Sequence, residues 1–307
     1  MARPTIIVAS ILALLVAAAL AFLVPPHLQV RAVRSTLPDV QQLQALAAVR
    51  DGPQAVSYVL TSRQAVPGGA LGHLSTVIEY EDGRLFVIDA GMDRAAALAF
   101  GDTVKSLGVT EDDADFVATL ADALGPRGAD VAGMGFTHLH IDHTQGVEDF
   151  CARLAPTAAV RVHTRTQATE HNFNTAASAG LLDASCLAPR VLDATSLTSV
   201  PDFPGIALLN LGGHTPGSTL WAVGLADRVL LFTGDITNSF AEIEQDLGKG
   251  LLYSYVFVPE DTNRTGALRQ WFRDLDARPS FSIIVSHDLE RTRALLPAFV
   301  HRSAPAG

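Results

Sequence analysis

Residues 138–146 read His138-Leu139-His140-Ile141-Asp142-His143-Thr144-Gln145-Gly146, and this stretch decides the fold. Three imidazoles and a carboxylate fall within six positions. Nitrogen and hard oxygen donors together suit zinc and its first-row neighbours. Residues i and i+2 of an extended chain point the same way, so His138 and His140 can grip one ion. Asp142 and His143 project differently and can hold a second. The stretch leaves a short apolar strand at 131–137, which a merely solvated polar loop would not need.

Three further groups sit in loops after predicted strands. His214 lies in a Gly/Pro turn, Gly212-Gly213-His214-Thr215-Pro216-Gly217. Asp235 ends a buried strand in Thr233-Gly234-Asp235, and His287 ends another in Ser286-His287-Asp288. Singly, each reads as hydrogen-bonded scaffolding. Their order after the hexapeptide makes them one set.

This ordered set resembles the metallo-β-lactamase superfamily, over residues 55–290. The resemblance implies an α/β fold, an αββα sandwich of two mixed sheets flanked by helices, with metals at one sheet edge. It implies two Zn2+ ions, other first-row divalent metals being possible. His138, His140 and His214 would bind the first, Asp142, His143 and His287 the second, and Asp235 would bridge them. Residues 85–91, with Asp89-Ala90-Gly91, resemble the family's early strand-loop beside the site. Within the superfamily the motifs look most like the N-acyl homoserine lactonase group, including the gap of about 20 residues from His214 to Asp235. Those lactonases carry a tyrosine three residues after the bridging aspartate, where this chain has Asn238. An asparagine amide can donate to a carbonyl or oxyanion.

A metal ion lowers the pKa of its bound water towards 7 and so supplies a nucleophile at neutral pH. The expected activity is therefore a dinuclear-metal hydrolase that opens a lactone or cleaves a related carboxylic ester by metal-bound hydroxide. Asp142, Asp235 and Asn238 are the expected catalytic groups, with Asp142 also a proton shuttle. The alternatives are a β-lactamase, or a phosphodiesterase or thioesterase of the same superfamily. Residues 238–260 are long for a connection and contain Phe240, Tyr253, Tyr255 and Phe257. They read as part of a substrate wall or, equally, as a surface insertion with its own small core. His73 and His171 read as structural; His27, His163 and His301 carry no expected role.

The composition agrees. Over 307 residues, 22 Lys+Arg stand against 32 Asp+Glu, a formal net charge of −10. An acidic surface does not attract a phosphate backbone, so the expected partner is a small molecule and not a nucleic acid. Two cysteines are too few for a disulfide scaffold or a Cys-rich zinc module. Cys151 and Cys186 either pair, as an oxidising compartment permits, or are two small buried residues. The sequence does not indicate an oligomeric state.

Residues 5–24 hold 18 apolar residues in 20 and no charge, and about 20 such residues span a bilayer. Pro25-Pro26 is expected to end the helix. The segment is a cleaved signal peptide or a retained transmembrane anchor; in either case the rest of the chain is exported, to the periplasm or another extracytoplasmic space. The expected organisation is 1–24 signal or anchor, 25–52 tether and short helix, and 53–307 catalytic domain. In the last, strands are expected at 55–62, 74–80, 84–89, 131–137, 158–163, 206–211, 219–223, 229–233 and 281–286. Helices are expected at 93–107, 111–124, 165–179, 263–276 and 289–301. Apolar strands interleaved with amphipathic helices argue for sheets covered by helices.

Overall fold

The computed structural model describes residues 2–154, 159–170 and 172–300. His171 and His301 lie outside the described residues. Twelve strands are described: β1 (Ala55–Val66), β2 (Gly69–Glu79), β3 (Leu85–Ile88), β4 (Asp115–Phe116), β5 (Val131–Gly135), β6 (Val160–Thr164), β7 (Ala188–Leu192), β8 (Thr198–Ser199), β9 (Ile206–Asn210), β10 (Thr219–Gly224), β11 (Val229–Phe232) and β12 (Phe281–Ile284). They form two mixed sheets. The larger runs β4-β1-β2-β3-β5-β6-β7 and the smaller β12-β11-β10-β9-β8.

Both sheets mix directions in a way that places the site. The β1–β2 hairpin and β3 pair antiparallel, whereas β3, β5, β6 and β7 run parallel. In the smaller sheet β11 and β12 are the parallel pair. The ends of β3, β5, β11 and β12 thus deliver their following loops to one edge, the place where such sheets bind ligands.

Three apolar layers follow. Phe86, Ile88, Val162, Phe203, Leu208, Trp221 and Leu230 fill the space between the sheets. The outer face of the smaller sheet is covered by the helix Thr262–Asp276 through Leu268, Phe272 and Leu275. The outer face of the larger sheet receives Leu120, Leu124, Val147, Phe150 and Leu182 from short helices. Burial of such residues removes about 25 cal/mol per Å2 of apolar area from water and is the main force holding the layers. Trp221 Nε1 donates to the Phe136 carbonyl (3.1 Å) and Thr219 N to the Thr137 carbonyl (2.7 Å). These bonds lock the two sheets together beside the hexapeptide.

Three differences from the sequence expectation stand out. The N-terminal helix runs Ala2–Ala32 through Pro25 and Pro26. The prolines remove two backbone donors, but the turns beyond them are held by the domain. Val30 is buried, His27 Nε2 bonds the Tyr255 carbonyl (3.0 Å) and Phe22 stacks on Phe173. Residues 40–48 form the expected short helix, and its Leu43 and Leu46 pack into the core of the smaller sheet. The expected helix 111–124 is an edge strand, β4, followed by the single helical turn Leu120–Leu124, which Thr119 caps. The expected helix 165–179 is broken into Arg165–Thr169 and Ala176–Asp183. Cys151 and Cys186 form a disulfide, which ties the helix Gly146–Leu154 to the approach to β7.

Candidate metal centre

The hexapeptide is extended only through His140, whose ψ is 154°, and then turns into the helical turn Ile141–Thr144. The extended part brings His138 Nε2 to 3.0 Å from His140 Nδ1. The helical turn re-aims Asp142 and His143 to the other side of the centre. The turn between β9 and β10 presents His214, with Gly213 supplying its left-handed backbone at φ +87°. His214 Nε2 lies 3.2 Å from His140 Nδ1. Asp235 follows β11 and His287 follows β12, and His287 Nε2 is 3.0 Å from Asp235 Oδ2.

Two donor sets result. Nitrogens of His138, His140 and His214 all lie within 4.8 Å of one another. Tetrahedral zinc with Zn–N of about 2.0–2.1 Å puts its ligand nitrogens about 3.3–3.4 Å apart, close to the spacing found here. The second set surrounds Asp142. Its Oδ2 lies 3.3 Å from His287 Nε2, 3.5 Å from His143 Nε2 and 3.4 Å from His73 Nδ1. Asp235 reaches both sets: Oδ1 is 3.5 Å from His143 Nε2, and Oδ2 is 3.9 Å from His214 Nε2.

Outer contacts orient these rings. His143 Nδ1 donates to Asp89 Oδ2 (2.9 Å), His214 Nδ1 to Glu260 Oε1 (2.6 Å), and His287 Nδ1 to the Gly72 carbonyl (2.9 Å). Each bond orients its ring and turns Nε2 toward the centre. Asp89 is held in turn by Thr137 N (2.7 Å) and Thr137 Oγ1 (2.8 Å). It carries a left-handed φ of 59°, a strained conformation for a non-glycine residue.

The donor set fits divalent ions. His73 Nδ1, His143 Nε2 and Asp235 Oδ1 are buried polar atoms that make no hydrogen bond, and such atoms cost free energy unless something pairs with them. Burial holds His138 and His214 well below the usual imidazole range and His140 at about 4, so all three are neutral donors. Around Asp142 the balance reverses. Burial opposes the charged form of His143, but the Asp142 and Asp89 carboxylates outweigh it and raise its pKa. His287 is raised against burial by Asp235. Burial likewise opposes the carboxylates, and His143 and His287 hold Asp142 and Asp235 well below the ordinary range.

A cavity of about 480 Å3 opens over this centre. His140, Asp142, Asp235 and His287 lie on its wall, together with Asn238 and Tyr253. Phe240 and Tyr255 do not line it. Phe240 opens the helix Phe240–Glu244 and packs into the core of the smaller sheet, with the Arg291 guanidinium 3.5 Å from its ring centre. Tyr255 faces away, its ring 5.5 Å from that of His27. Residues 238–260 thus divide between wall and core.

Two groups at the centre went unread in the sequence, and a third, His73, was read there as structural. His73 lies on β2, beside Gly72, whose carbonyl binds His287. Lys249 is buried on the cavity wall, with Nζ 3.4 Å from Asp235 Oδ2 and 5.2 Å from the Tyr253 ring centre. Glu260 is buried behind His214, and its Oε2 accepts from Ser254 Oγ (2.5 Å).

Comparisons with known proteins agree with this geometry. No curated protein matches the chain. An N-acyl homoserine lactone hydrolase solved with N-hexanoyl-L-homoserine at its catalytic metal centre superimposes with a TM-score of 0.57. It is 17% identical, over 80% of this chain and 98% of that one. A B. thuringiensis AiiA mutant with N-decanoyl-L-homoserine at its active site gives the same four values. A probable metal-dependent hydrolase from Staphylococcus aureus gives 0.53, at 16% identity over 78% and 91% of the two chains. At this identity the likeness is one of fold. Residues 68–287, well over half of the chain, match the model of the Metallo-beta-lactamase superfamily. The chain therefore belongs to the metallo-β-lactamase superfamily and is a metal-dependent hydrolase of that fold.

Proposed function

We propose that the chain is a dinuclear-metal hydrolase that opens a lactone or cleaves a related carboxylic ester. The observation that carries this reading is the convergence of seven donors on two sites that share Asp235. His138 and His214 through Nε2, and His140 through Nδ1, would hold the first ion. Asp142, His143 and His287 would hold the second, with His73 Nδ1 as a further donor beside Asp142. Bound there, zinc or another first-row divalent ion supplies Lewis acidity and a water of lowered pKa.

The chain's own residues supply the rest. Asp235 holds the two sites in register, and Asp142 stands where it can take and pass on a proton. The Lys249 ammonium and the Asn238 amide face the same cavity. Both are donors for the substrate carbonyl or the leaving oxygen, and Lys249 adds a full positive charge in a low-dielectric site. Tyr253 walls the same space, where burial pushes its phenol up to about 12 and so keeps it a neutral donor. Lactone or ester is favoured because two of the superimposed structures are those of lactonases with acyl-homoserine products or ligands bound.

We read residues 5–24 as a retained membrane anchor on an exported protein. The helical stretch Ile7–Ala32, which carries most of them, is long and apolar enough to cross a bilayer, and packs no residue of its most apolar window inside the protein. The disulfide supports export, since such bonds persist in oxidising compartments.

The test is hydrolysis by the metal-loaded full chain of an acyl homoserine lactone, a simple γ-lactone, an aryl ester, nitrocefin and bis-p-nitrophenyl phosphate. Asp235→Ala runs beside it with its metal content measured. Lactone or ester turnover that disappears with the second metal is the expected result. Turnover of nitrocefin or the phosphodiester alone would refute the substrate class.

A further inference from the structure

The end of the N-terminal helix and the mouth of the cavity share one segment of chain. Residues 251–257 supply Tyr253 and Phe257 to the cavity wall. The same segment receives the helix: His27 Nε2 bonds the Tyr255 carbonyl (3.0 Å) and the two rings lie 5.5 Å apart. Phe22 stacks on Phe173 with ring centres 4.5 Å apart. The neighbouring Asn174 donates through Nδ2 to the Phe257 carbonyl (2.6 Å).

Helix geometry sets the depth of these contacts. At 1.5 Å per residue, about 20 residues from Ile7 cross the roughly 30 Å hydrocarbon layer and bring His27 to the headgroup level. Phe22 lies five residues, or about 7.5 Å, closer to the bilayer centre. Residues 251–257 and Phe173 are therefore held at the lipid interface whenever the helix spans a membrane.

The surface at that level is apolar. Leu251 is 77% exposed and Leu252 63% exposed, and neither lines the cavity. The residues that are both on the cavity wall and open to the surface mark its mouth. Thr103, Leu107, Val109, Ile141 and Phe257 do this, and four of the five are apolar. The floor, in contrast, is imidazole, carboxylate and ammonium. The cavity is thus graded from a hydrocarbon-like mouth to a charged floor. Adjacent exposed apolar side chains of this kind mark an interaction surface.

We propose that this mouth sits on the bilayer surface and that the substrate is a membrane-borne amphiphile, a lipophilic lactone or ester that enters carbonyl first with its alkyl chain trailing into the lipid. The proposal rests on the anchor and hydrolase readings above. The occupant of the apolar rim is the lipid itself, because the helix that touches the rim continues directly into the membrane.

The test uses the full chain in phosphatidylcholine vesicles. Leu252→Trp is reconstituted with brominated phosphatidylcholine, and its quenching is compared with that of the unsubstituted chain. Vesicle flotation with extra quenching of the new tryptophan is the expected result. Flotation without extra quenching overturns the proposal and leaves the anchor intact; failure to float overturns both. A second arm compares a γ-lactone bearing a long alkyl chain, carried in vesicles, with γ-butyrolactone in solution. The double variant L251E/L252E is expected to raise the apparent KM for the vesicle-borne lactone by about tenfold or more, from two lost leucine insertions. Turnover of γ-butyrolactone stays unchanged. Equal behaviour of the variant and the unsubstituted chain towards both lactones overturns the proposal. Turnover of neither lactone refutes the substrate reading, while the quenching arm still decides the interface.

Discussion

Glu260 gives the sharpest test of how this centre is built. Its carboxylate accepts from His214 Nδ1 at 2.6 Å and from Ser254 Oγ at 2.5 Å, wholly inside the protein. A hydrogen bond to a charged group contributes about 1.5–3 kcal/mol, against about 1 kcal/mol for a neutral pair. Glu260→Gln keeps an acceptor for Nδ1 but removes the charge. The variant should therefore lose about 1–2 kcal/mol of ring orientation and ligand basicity, which is about 5–30-fold in affinity at the first site. Glu260→Ala also frees the ring to rotate and should reach the upper end of the about 10–100-fold range for outer-shell removal. The assay is competition for zinc against a chromophoric chelator near neutral pH, with circular dichroism of the metal-free protein beside it. Burial already raises the Glu260 pKa, so the metal-free Gln variant should melt no lower than its parent. Equal zinc affinity in parent, Gln and Ala forms would refute the claim that Glu260 positions His214. A fall in metal-free stability with unchanged affinity would make it a packing residue only.

Three other expectations follow from the same coordinates. Cys151 and Cys186 are 35 residues apart in sequence, and closing such a loop is worth about 4 kcal/mol by chain entropy; Cys151→Ser with Cys186→Ser should lower Tm, and reductant should lower the parent's Tm but not the variant's. A Cβ on Gly135 would stand 2.1 Å from Trp221 Cζ2, so Gly135→Ala should cost about 1–3 kcal/mol or more by overpacking between the sheets, and a Tm equal to the parent's would contradict it. Burial raises Glu170 to about 7, so between about 4.5 and 7 the native state keeps a proton that the unfolded chain has lost, and stability falls as pH rises. Glu170→Gln should flatten that slope and gain stability above pH 7, and an unchanged denaturation profile against pH would refute it.

The candidate metal donors were legible because coordination chemistry constrains residue type and local spacing at once. His138, His140, Asp142 and His143 lie on one turn of chain. His214, Asp235 and His287 each end an apolar strand, which a sequence displays. What was not legible depends on contacts across long separations. Nothing near His73 marks it as a donor; its place is set by β2 passing under the loop of His287, as the bond from His287 Nδ1 to the Gly72 carbonyl shows. Lys249 reads as one cation in a glycine-flanked turn until the fold carries it to Asp235. Phe240 and Tyr253 are alike in sequence, but a helix start capped by Ser239 and Glu242 turns the first into the core. Missed secondary structure follows the same line. β4, β7 and β8 are short edge strands without clean alternation, and β7 contains Pro189. Such strands are specified by their neighbours more than by their own residues.

The origin of the ligands has a consequence for stability. His138, His140, Asp142 and His143 leave the larger sheet, and His73 sits on it. His214, Asp235 and His287 belong to the smaller one. Ions held in this way would clamp the two layers at one edge, while Trp221, Phe86 and Phe203 hold them in the middle. The two clamps differ in kind. The apolar one is non-directional and survives small shifts. The polar one leaves His73 Nδ1, His143 Nε2 and Asp235 Oδ1 buried and unpartnered, which costs free energy that bound cations would offset. Metal binding to the native state alone then stabilises it by RT ln(1 + [L]/Kd), about 4 kcal/mol at a thousandfold excess over Kd. A disulfide on the far side of the larger sheet and an ion-clamped edge on the near side would then divide the work of holding this sandwich closed, and the order of the site edge would follow metal supply.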